Sequence, residues 1–551
     1  MKFKRAILAF LAAIFMFGLT ACSKNLGNVN TKIKSTARRD KITLVVEFND
    51  EESRIFSSIT PTAYLYDFDN DKRGDEVESK TLQNAGDINN VGKETKSKEV
   101  VFDNLEKSTD EKTKKYQILV KATVNGYSYE LANKVVAMSD EGTKENPKEI
   151  KTAEDFLDIQ YDREGYFKLM NDIDFAPLAK ENEIYKLTPM FTTESNSFKG
   201  EIDGNNKTIK NFSIESNNQY NGLVGYLVGE IKNLNVENAE IHTARTSEVN
   251  TGLLVGYNAG KVIGCKVTNG KVEVQSTAYS LTYPLIVGGL VGTVAGDNSD
   301  IAVKDCEAFN LTVKVEAVHR ATVGGMIGRV IEPKTIRMGQ EITNNKITGL
   351  NLTVKQENKT STKDDILIYV GGFVGATART ISDSEVIETE NYKTTITVTT
   401  KKSTSAIYKD GLKVYDVFVG GFAGLTVDNS KGASIKNVKF NGSISVMPGD
   451  FTAENNANQE AYTMYVGGLV GAMNGIVIEN STAEINEFKA KFHQTEKEDA
   501  EKPEEKATYK GAYGLIIGYT TNLDVKGNTS EITTLDLAGE YTETKLNSQN
   551  K

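Results

Sequence analysis

The 551-residue chain contains no tryptophan, eight prolines, three cysteines and three histidines. So few cysteines and histidines exclude a disulfide-stapled fold and a clustered zinc site. The absence of tryptophan removes the commonest aromatic platform for sugars and leaves that role to 23 tyrosines. Basic charge is in deficit: 65 Lys and Arg face 75 Asp and Glu, a net charge of −10. A run of phosphates would find no excess of cations to neutralise it, so a nucleic-acid binder is excluded. Proline scarcity beside 46 glycines points to a turn-rich β protein, not a helical bundle. A hydrophobic content of 39% with 25% charged residues rules out wholesale disorder.

Catalytic motifs are missing as well. The histidines stand as His242-Thr243, His319-Arg320 and His493-Gln494. None belongs to a His-Glu-x-x-His helix, which sets two imidazoles on one face with a glutamate base. There is no Gly-x-Ser-x-Gly elbow and no phosphate-binding glycine loop with Lys-Ser/Thr. No enzyme activity and no cofactor are therefore expected.

The first segment carries an address. Lys2, Lys4 and Arg5 precede an apolar run from Ala6 to Gly18, too short for a permanent membrane span but right for the core of a secretory signal. It ends in Leu19-Thr20-Ala21-Cys22, which resembles the lipobox of bacterial lipoproteins. That resemblance implies cleavage after residue 21 and lipidation of Cys22, with diacylglycerol and palmitate-type acyl chains buried in the membrane. Residues 22–40 then read as lipidated cysteine and flexible tether. Ser23 after the cysteine fits outer-membrane sorting. No later segment is apolar enough to span a bilayer. The expected location is the cell membrane or outer membrane, lipid-anchored and surface-exposed.

Residues 41–140 alternate apolar and polar residues with period two. Ile42–Phe48, Ala63–Tyr66 and the alternation of Tyr116, Ile118, Val120, Ala122 and Val124 are strand candidates, with Asn125-Gly126 as a hairpin turn into Tyr127–Leu131. About a hundred residues of such strands predict a small antiparallel β-sandwich spacer. Phe102-Asp103-Asn104-Leu105 followed by Tyr116 is similar to the late strands of immunoglobulin-like fibronectin type III modules. Asp67, Asp69, Asp71, Gly74, Asp75 and Glu78 have the spacing of a calcium loop, but Lys72 stands where the sharp turn needs glycine. A solvated acidic turn is the reading preferred.

From residue 222 a short motif recurs. It runs Gly222-Leu223-Val224-Gly225, Gly252-Leu253-Leu254-Val255-Gly256, Gly289-Leu290-Val291-Gly292, Gly325-Met326-Ile327-Gly328, Gly372-Phe373-Val374-Gly375, Gly421-Phe422-Ala423-Gly424, Gly468-Leu469-Val470-Gly471 and Gly514-Leu515-Ile516-Ile517-Gly518. The closing glycines lie 31 to 49 residues apart, a period that marks a solenoid or array. Each motif is followed by a second element, such as Ile231-Lys232-Asn233-Leu234, and a third β-branched one, such as Leu352-Thr353-Val354. Units of two or three short strands bury a core only when stacked. A propeller accommodates the repeat count, but the drifting spacing fits coils that place extra residues in loops. About ten coils at about 4.8 Å each give a rod of about 50 Å.

The repeats resemble the GLUG motif of bacterial surface proteins and of the non-catalytic region of IgA1-specific and Zmp-type zinc metallo-endopeptidases. The lead-in Gly142–Leu157, with Thr152 as N-cap and Phe156, Leu157 and Ile159 turned to the repeats, resembles the capping segment before such arrays. This resemblance implies an all-β chain with a right-handed parallel β-helix over residues 181–545, a capping segment at 141–180 and the sandwich before it.

Cys265 and Cys306 hold the same place in consecutive repeats, each three residues after a valine and four before an asparagine. A pair of buried thiols and a disulfide between coils both remain open. The longer repeats carry polar segments near 355–368, 388–415, 447–464 and 487–510, with Tyr392, Tyr408, Tyr415, Tyr462 and Tyr465 in or beside them. Insertions of this kind emerge on one face of a solenoid and can form a binding surface. The expected function is a monomeric surface adhesin or interaction lipoprotein for a host protein or glycan. The alternatives are a polysaccharide lyase or hydrolase, for which Asp383, Asp416 and Asp428 are scattered carboxylates, and a purely structural envelope component.

Overall fold

The computed structural model describes residues 33–543 except 39, 49–58, 91–92, 110–111, 125–126, 182, 277–283, 297–300, 319, 332–340, 357–365, 401–414, 428–433, 449–461, 475–476, 492–509, 521–524 and 539–541. Among the described residues the structure is nearly all β, with one α-helix, Ala153–Leu157, of five residues. Among the described residues no helix is long and apolar enough to cross a membrane. The chain divides into two units: residues up to 148 with 154–167, and 149–153 with the remainder from 168.

The first unit holds eight strands: β1 (Ile33–Arg38), β2 (Lys41–Phe48), β3 (Thr62–Asp69), β4 (Lys72–Thr81), β5 (Gln83–Asn90), β6 (Lys93–Phe102), β7 (Lys115–Val124) and β8 (Tyr127–Ala137). They form two four-stranded sheets ordered β1-β2-β6-β5 and β4-β3-β7-β8, with antiparallel pairing throughout. Alternate side chains of both sheets, among them Ile42, Leu44, Ala63, Leu65, Phe102, Ile118 and Val120, share one buried cluster. The Tyr116 hydroxyl accepts a hydrogen bond from the Glu106 N–H at 3.0 Å, which ties β7 to the chain ten residues upstream.

One expectation changes here, and the acidic stretch forms a turn, the reading preferred for it. Residues 33–38, within the stretch read as a tether, form β1 and pair with 41–46, because Ala37 packs on the cluster that Ile42 and Leu44 build. The spaced acids of 67–78 do not form a twelve-residue loop. Asn70 and Asp71, both with positive φ, make a two-residue hairpin turn, so Asp69 pairs with Lys72 and Phe68 with Arg73. Asp67 and Asp69 are engaged by Lys114 and Lys112 at 2.9 and 2.8 Å.

The segment 154–167, expected to close the repeats, belongs with the first unit. Its Tyr161 hydroxyl donates to the buried Glu47 carboxylate of β2. Asp162 pairs with Arg38 at 2.6 Å, and Glu164 with Lys41 at 2.7 Å.

The second unit is a stack of coils held by parallel sheets. One coil runs Arg320–Gly324, Ile327–Val330, Glu341–Thr343 and Lys346–Gln356. Each of these strands pairs in parallel with its equivalent one repeat later. Four sheets result. The first glycine sheet, of nine strands, leads into the motif, and the second, of eight, leads out of it. A short-strand sheet has eleven strands and a long-strand sheet thirteen. Inward columns are apolar: Val313, Leu352, Ile396, Ile444 and Phe488 follow one another down the long-strand sheet, all buried. At the motif, Phe373 and Phe422 stack at 4.8 Å with 2° between their planes.

The motif glycines are required by close approach. A Cβ on Gly421 would lie under 3.0 Å from the Gly468 carbonyl of the next coil and from the Phe440 ring. Gly421→Ala is therefore expected to destabilise its coil by about 2–4 kcal/mol. Gly74→Ala, where the nearest atom is the Asp67 side chain at 3.1 Å, is expected to be close to neutral. Thermal and urea melts of both variants, followed by circular dichroism, test the contrast.

Candidate functional site

Each coil turns from the short-strand to the long-strand sheet through one residue with positive φ. Asn233, Gly264, Asp305, Asn344, Asp383, Asn437, Asn480 and Gly527 occupy this column with φ between 48° and 65°, a region that Gly, Asn and Asp tolerate best. Their side chains join coil to coil: Asn344 donates to Asp305 at 2.6 Å and Asn437 to Asp383 at 2.9 Å. The Asn437 bond, with a second from Ser382, holds the Asp383 carboxyl below its usual range.

The next column is Leu234, Cys265, Cys306, Asn345, Ser384, Val438, Ser481 and Asn528. Four of its backbone N–H groups are capped by side chains of the following coil: Cys306 N–H by Asn345 at 3.0 Å, Asn345 N–H by Ser384 at 3.2 Å, Val438 N–H by Ser481 at 3.2 Å and Ser481 N–H by Asn528 at 2.9 Å. Both cysteines are buried free thiols. Each Sγ donates to two backbone carbonyls at 3.3–3.7 Å, one in its own coil and one in the coil before. They occupy a place where other coils use Ser or Asn. The neighbouring Cys265, together with burial, pushes the Cys306 thiol well up.

A second asparagine column runs along the long-strand sheet. Asn211, Asn238, Asn269 and Asn310 all have positive φ. Asn310 donates to Asn269 at 2.8 Å, Asn269 to Asn238 at 3.0 Å, Asn238 to Asn211 at 3.3 Å and Asn211 to Asp174 at 2.8 Å.

Outward side chains of the two glycine sheets meet in a corner. Tyr226 and Tyr257 stack at 4.6 Å and Tyr220 lies edge-on to both, at 5.1 and 5.4 Å. Thr293 donates to the buried Asn250 carbonyl at 2.5 Å. Burial, with Tyr257 beside it, raises the Tyr226 phenol, and desolvation lowers the Arg329 guanidinium. Further along the first glycine sheet Tyr369, Phe418 and Tyr465 form a ladder with 5.3 Å between successive rings.

The expected site residues fall in several places. Cys22 lies outside the described residues, as do His319, His493, Tyr408 and Asp428. The closing glycines Gly225, Gly256, Gly292, Gly328, Gly375, Gly424, Gly471 and Gly518 line the second glycine sheet. The opening glycines Gly289, Gly325, Gly372, Gly421 and Gly468 sit at the bend before it. Gly222, Gly252 and Gly514 differ from the other openers. Gly514 pairs with Gly467, Gly252 follows Thr251, the partner of Val287, and Gly222 follows Asn221, the partner of Thr251. All three therefore stand in the column of Gly288, Gly324, Gly371, Gly420 and Gly467. The repeated Val-Gly-Gly could have revealed this further glycine column.

His242 lies 3.0 Å from Glu240 and 3.1 Å from Glu273 on the long-strand sheet. Among the described residues no group of three or more His, Cys, Asp and Glu is placed to hold a metal ion. Asp383 sits in the turn column, and position 416 lies on the first glycine sheet, where Asp416 pairs with Leu367. The 388–415 segment is not wholly an insertion, since Thr395–Thr400 is a strand of the long-strand sheet. Tyr392 packs edge-on against Phe309 at 4.3 Å, while Tyr415 and Tyr462 begin strands of the first glycine sheet.

No family model and no curated protein matches the chain, so the GLUG resemblance rests on the repeated residues themselves. Four solved chains show a likeness, two of which follow. One is a Bacteroides ovatus chain described as a "putative immunoglobulin A1 protease", 18% identical, with 69% of this chain and 86% of that chain covered and a TM-score of 0.34. The other, described as "IgA1 Protease", is 14% identical with a TM-score of 0.22; 84% of this chain is covered, but only 29% of that one. Likeness of this degree carries no argument about activity.

Two predictions follow from the turn columns. Asn269→Ala is expected to cost about 1–3 kcal/mol through left-handed strain and two lost side-chain bonds, and Asn269→Gly less, because glycine relieves the strain alone. Equilibrium urea unfolding of the two variants gives the comparison. Cys265→Ser and Cys306→Ser are expected to stay within about 1 kcal/mol of the parent, with native thiols labelled by maleimide only after unfolding; rapid native labelling would contradict the burial.

Proposed function

We propose that this chain is an exported surface lipoprotein, anchored through an acylated Cys22, whose repeats present a non-catalytic binding face. In this reading the second unit is a right-handed parallel β-helix of GLUG type. The first is an immunoglobulin-like spacer, which the Tyr116–Glu106 bond at the foot of β7 supports. The expected partners are the bacterial membrane, through the lipid, and a host protein or glycan.

One observation carries the reading of a variable face. Segments 277–283, 357–365, 401–414, 449–461 and 492–509 each follow a strand of the long-strand sheet and precede one of the first glycine sheet. Most of the added length of successive coils therefore falls at this junction, with a smaller share, as at 295–301 and 331–340, between the second glycine sheet and the short-strand sheet, while the paired columns continue from coil to coil. Variable chain at a fixed place on a rigid scaffold is the arrangement that binding loops use.

In membrane fractionation, Cys22→Ser is expected to move the protein from the membrane to the soluble fraction; retention in the membrane contradicts the anchor. The same soluble variant, applied to an array of matrix proteins and glycans, is expected to be retained. Shortening 401–414 and 492–509 should reduce retention by tenfold or more, about 1.4 kcal/mol. Release of oligosaccharide or peptide fragments would show a catalytic groove and overturn the non-catalytic reading.

A further inference from the structure

The C-terminal end of the stack presents four strands, one from each sheet: Ile517–Thr520, Val525–Lys526, Thr529–Ala538 and Thr542–Glu543. Among the described residues each has a neighbouring strand on one side only. An unpaired edge leaves a row of backbone N–H and C=O groups free to pair with another chain.

The longest of these edges, Thr529–Ala538, also displays core positions. Ile532 lies opposite Ile485, Leu535 opposite Phe488 and Leu537 opposite Ala490. Those three partners are 2%, 0% and 1% exposed, yet Leu535 is 46% exposed and Ile532 and Leu537 are only half-buried. Two outward side chains of the same strand, Glu531 and Asp536, are acidic. Glu531 lies opposite Glu484, whose carboxylate is already held by Lys439 at 2.6 Å and Asn441 at 2.8 Å. Asp536 lies opposite Lys489, which is bonded to Glu487 at 2.6 Å. Like charges on paired positions are unfavourable, and a cation on the next strand relieves them.

We propose that Thr529–Ala538 accepts an extended strand from a partner polypeptide, with Lys or Arg opposite Glu531 and Asp536 and apolar side chains opposite Ile532 and Leu535. Backbone pairing supplies the affinity of such strand addition, and the alternating side chains its specificity. A second copy of this chain is disfavoured. The antiparallel two-fold register that matches Ile532 with Leu535 of the other copy sets Glu531 against Asp536 twice. This strand shares no residue with the looped segments or with Cys22, so either proposal can fail alone.

The test uses the soluble Cys22→Ser chain and two labelled ten-residue peptides, one alternating Ile with Lys and the other Ile with Glu. Fluorescence anisotropy is expected to show the Lys peptide binding at least about tenfold tighter, as two reversed cross-strand charge pairs allow. Glu531→Lys with Asp536→Lys should invert that preference. Glu237→Lys with Glu316→Lys, on inner strands of the same sheet, should leave it unchanged and so excludes general attraction to an acidic protein. A scrambled Lys peptide should bind at least tenfold more weakly than the alternating one. Equal binding of both alternating peptides, or no response to the edge variant, overturns the proposal. So does a stable dimer of the unmodified edge in sedimentation at neutral pH, which would give the edge to a second copy.

Discussion

The constraint on which the second unit depends is in-register parallel stacking. Every residue of a coil has a counterpart about 4.8 Å above and below it, so each position is chosen to sit against its own kind. Inward columns meet this with branched aliphatic residues and with flat stacking of Phe373 on Phe422. One outward column avoids like charge by alternating Lys346, Glu385 and Lys439 at successive coils. The motif glycines meet it by having no side chain, because the bend between the glycine sheets brings one coil's backbone against the next.

Turns within such a stack carry a second constraint, since backbone groups at a corner cannot all join a sheet. Here the corner is satisfied from the adjacent coil. Asparagine suits this role twice over: it tolerates positive φ and carries both a donor and an acceptor. The column of Cys265 and Cys306 shows how far the requirement reaches. Ser384 and Ser481 each donate to a carbonyl two residues earlier at 2.8 Å, and the thiols make the longer version of the same bond. Their burial and small size, with a weak donor in that direction, account for these cysteines without any reactive role.

Much of this was legible in the residues. The recurring glycines and β-branched stretches announce short strands in a repeating unit, because stacking imposes the same residue types at each turn. The spacing of the glycines was less informative than it looked. Gly252 and Gly514 open their motifs one residue early, and only the pairing of Gly514 with Gly467 shows that they belong to a different column. The acids of 67–78 have calcium-loop spacing, yet the β propensity of 62–68 and the turn preference of Asn70-Asp71 decide for a hairpin. Residues 33–38 look like linker by composition; pairing with 41–46 makes them a strand, and composition does not encode a partner. The Tyr220, Tyr226 and Tyr257 cluster had no local signal, since its members come from different strands and two coils.

The same constraint separates where the chain can change from where it cannot. A residue added inside a strand would shift that coil's whole register against both neighbours and turn its inward residues outward. A residue added between the long-strand sheet and the first glycine sheet shifts nothing, provided that the strand ends stay within reach. The spacing of the closing glycines varies by 18 residues, while the paired columns continue from coil to coil. Column after column is fixed by self-stacking and leaves little room for a specific partner to be encoded on the inner faces. Information about a partner has to be written at the junctions, where length and composition are free, or on a strand such as Thr529–Ala538 that, among the described residues, is paired on one side only.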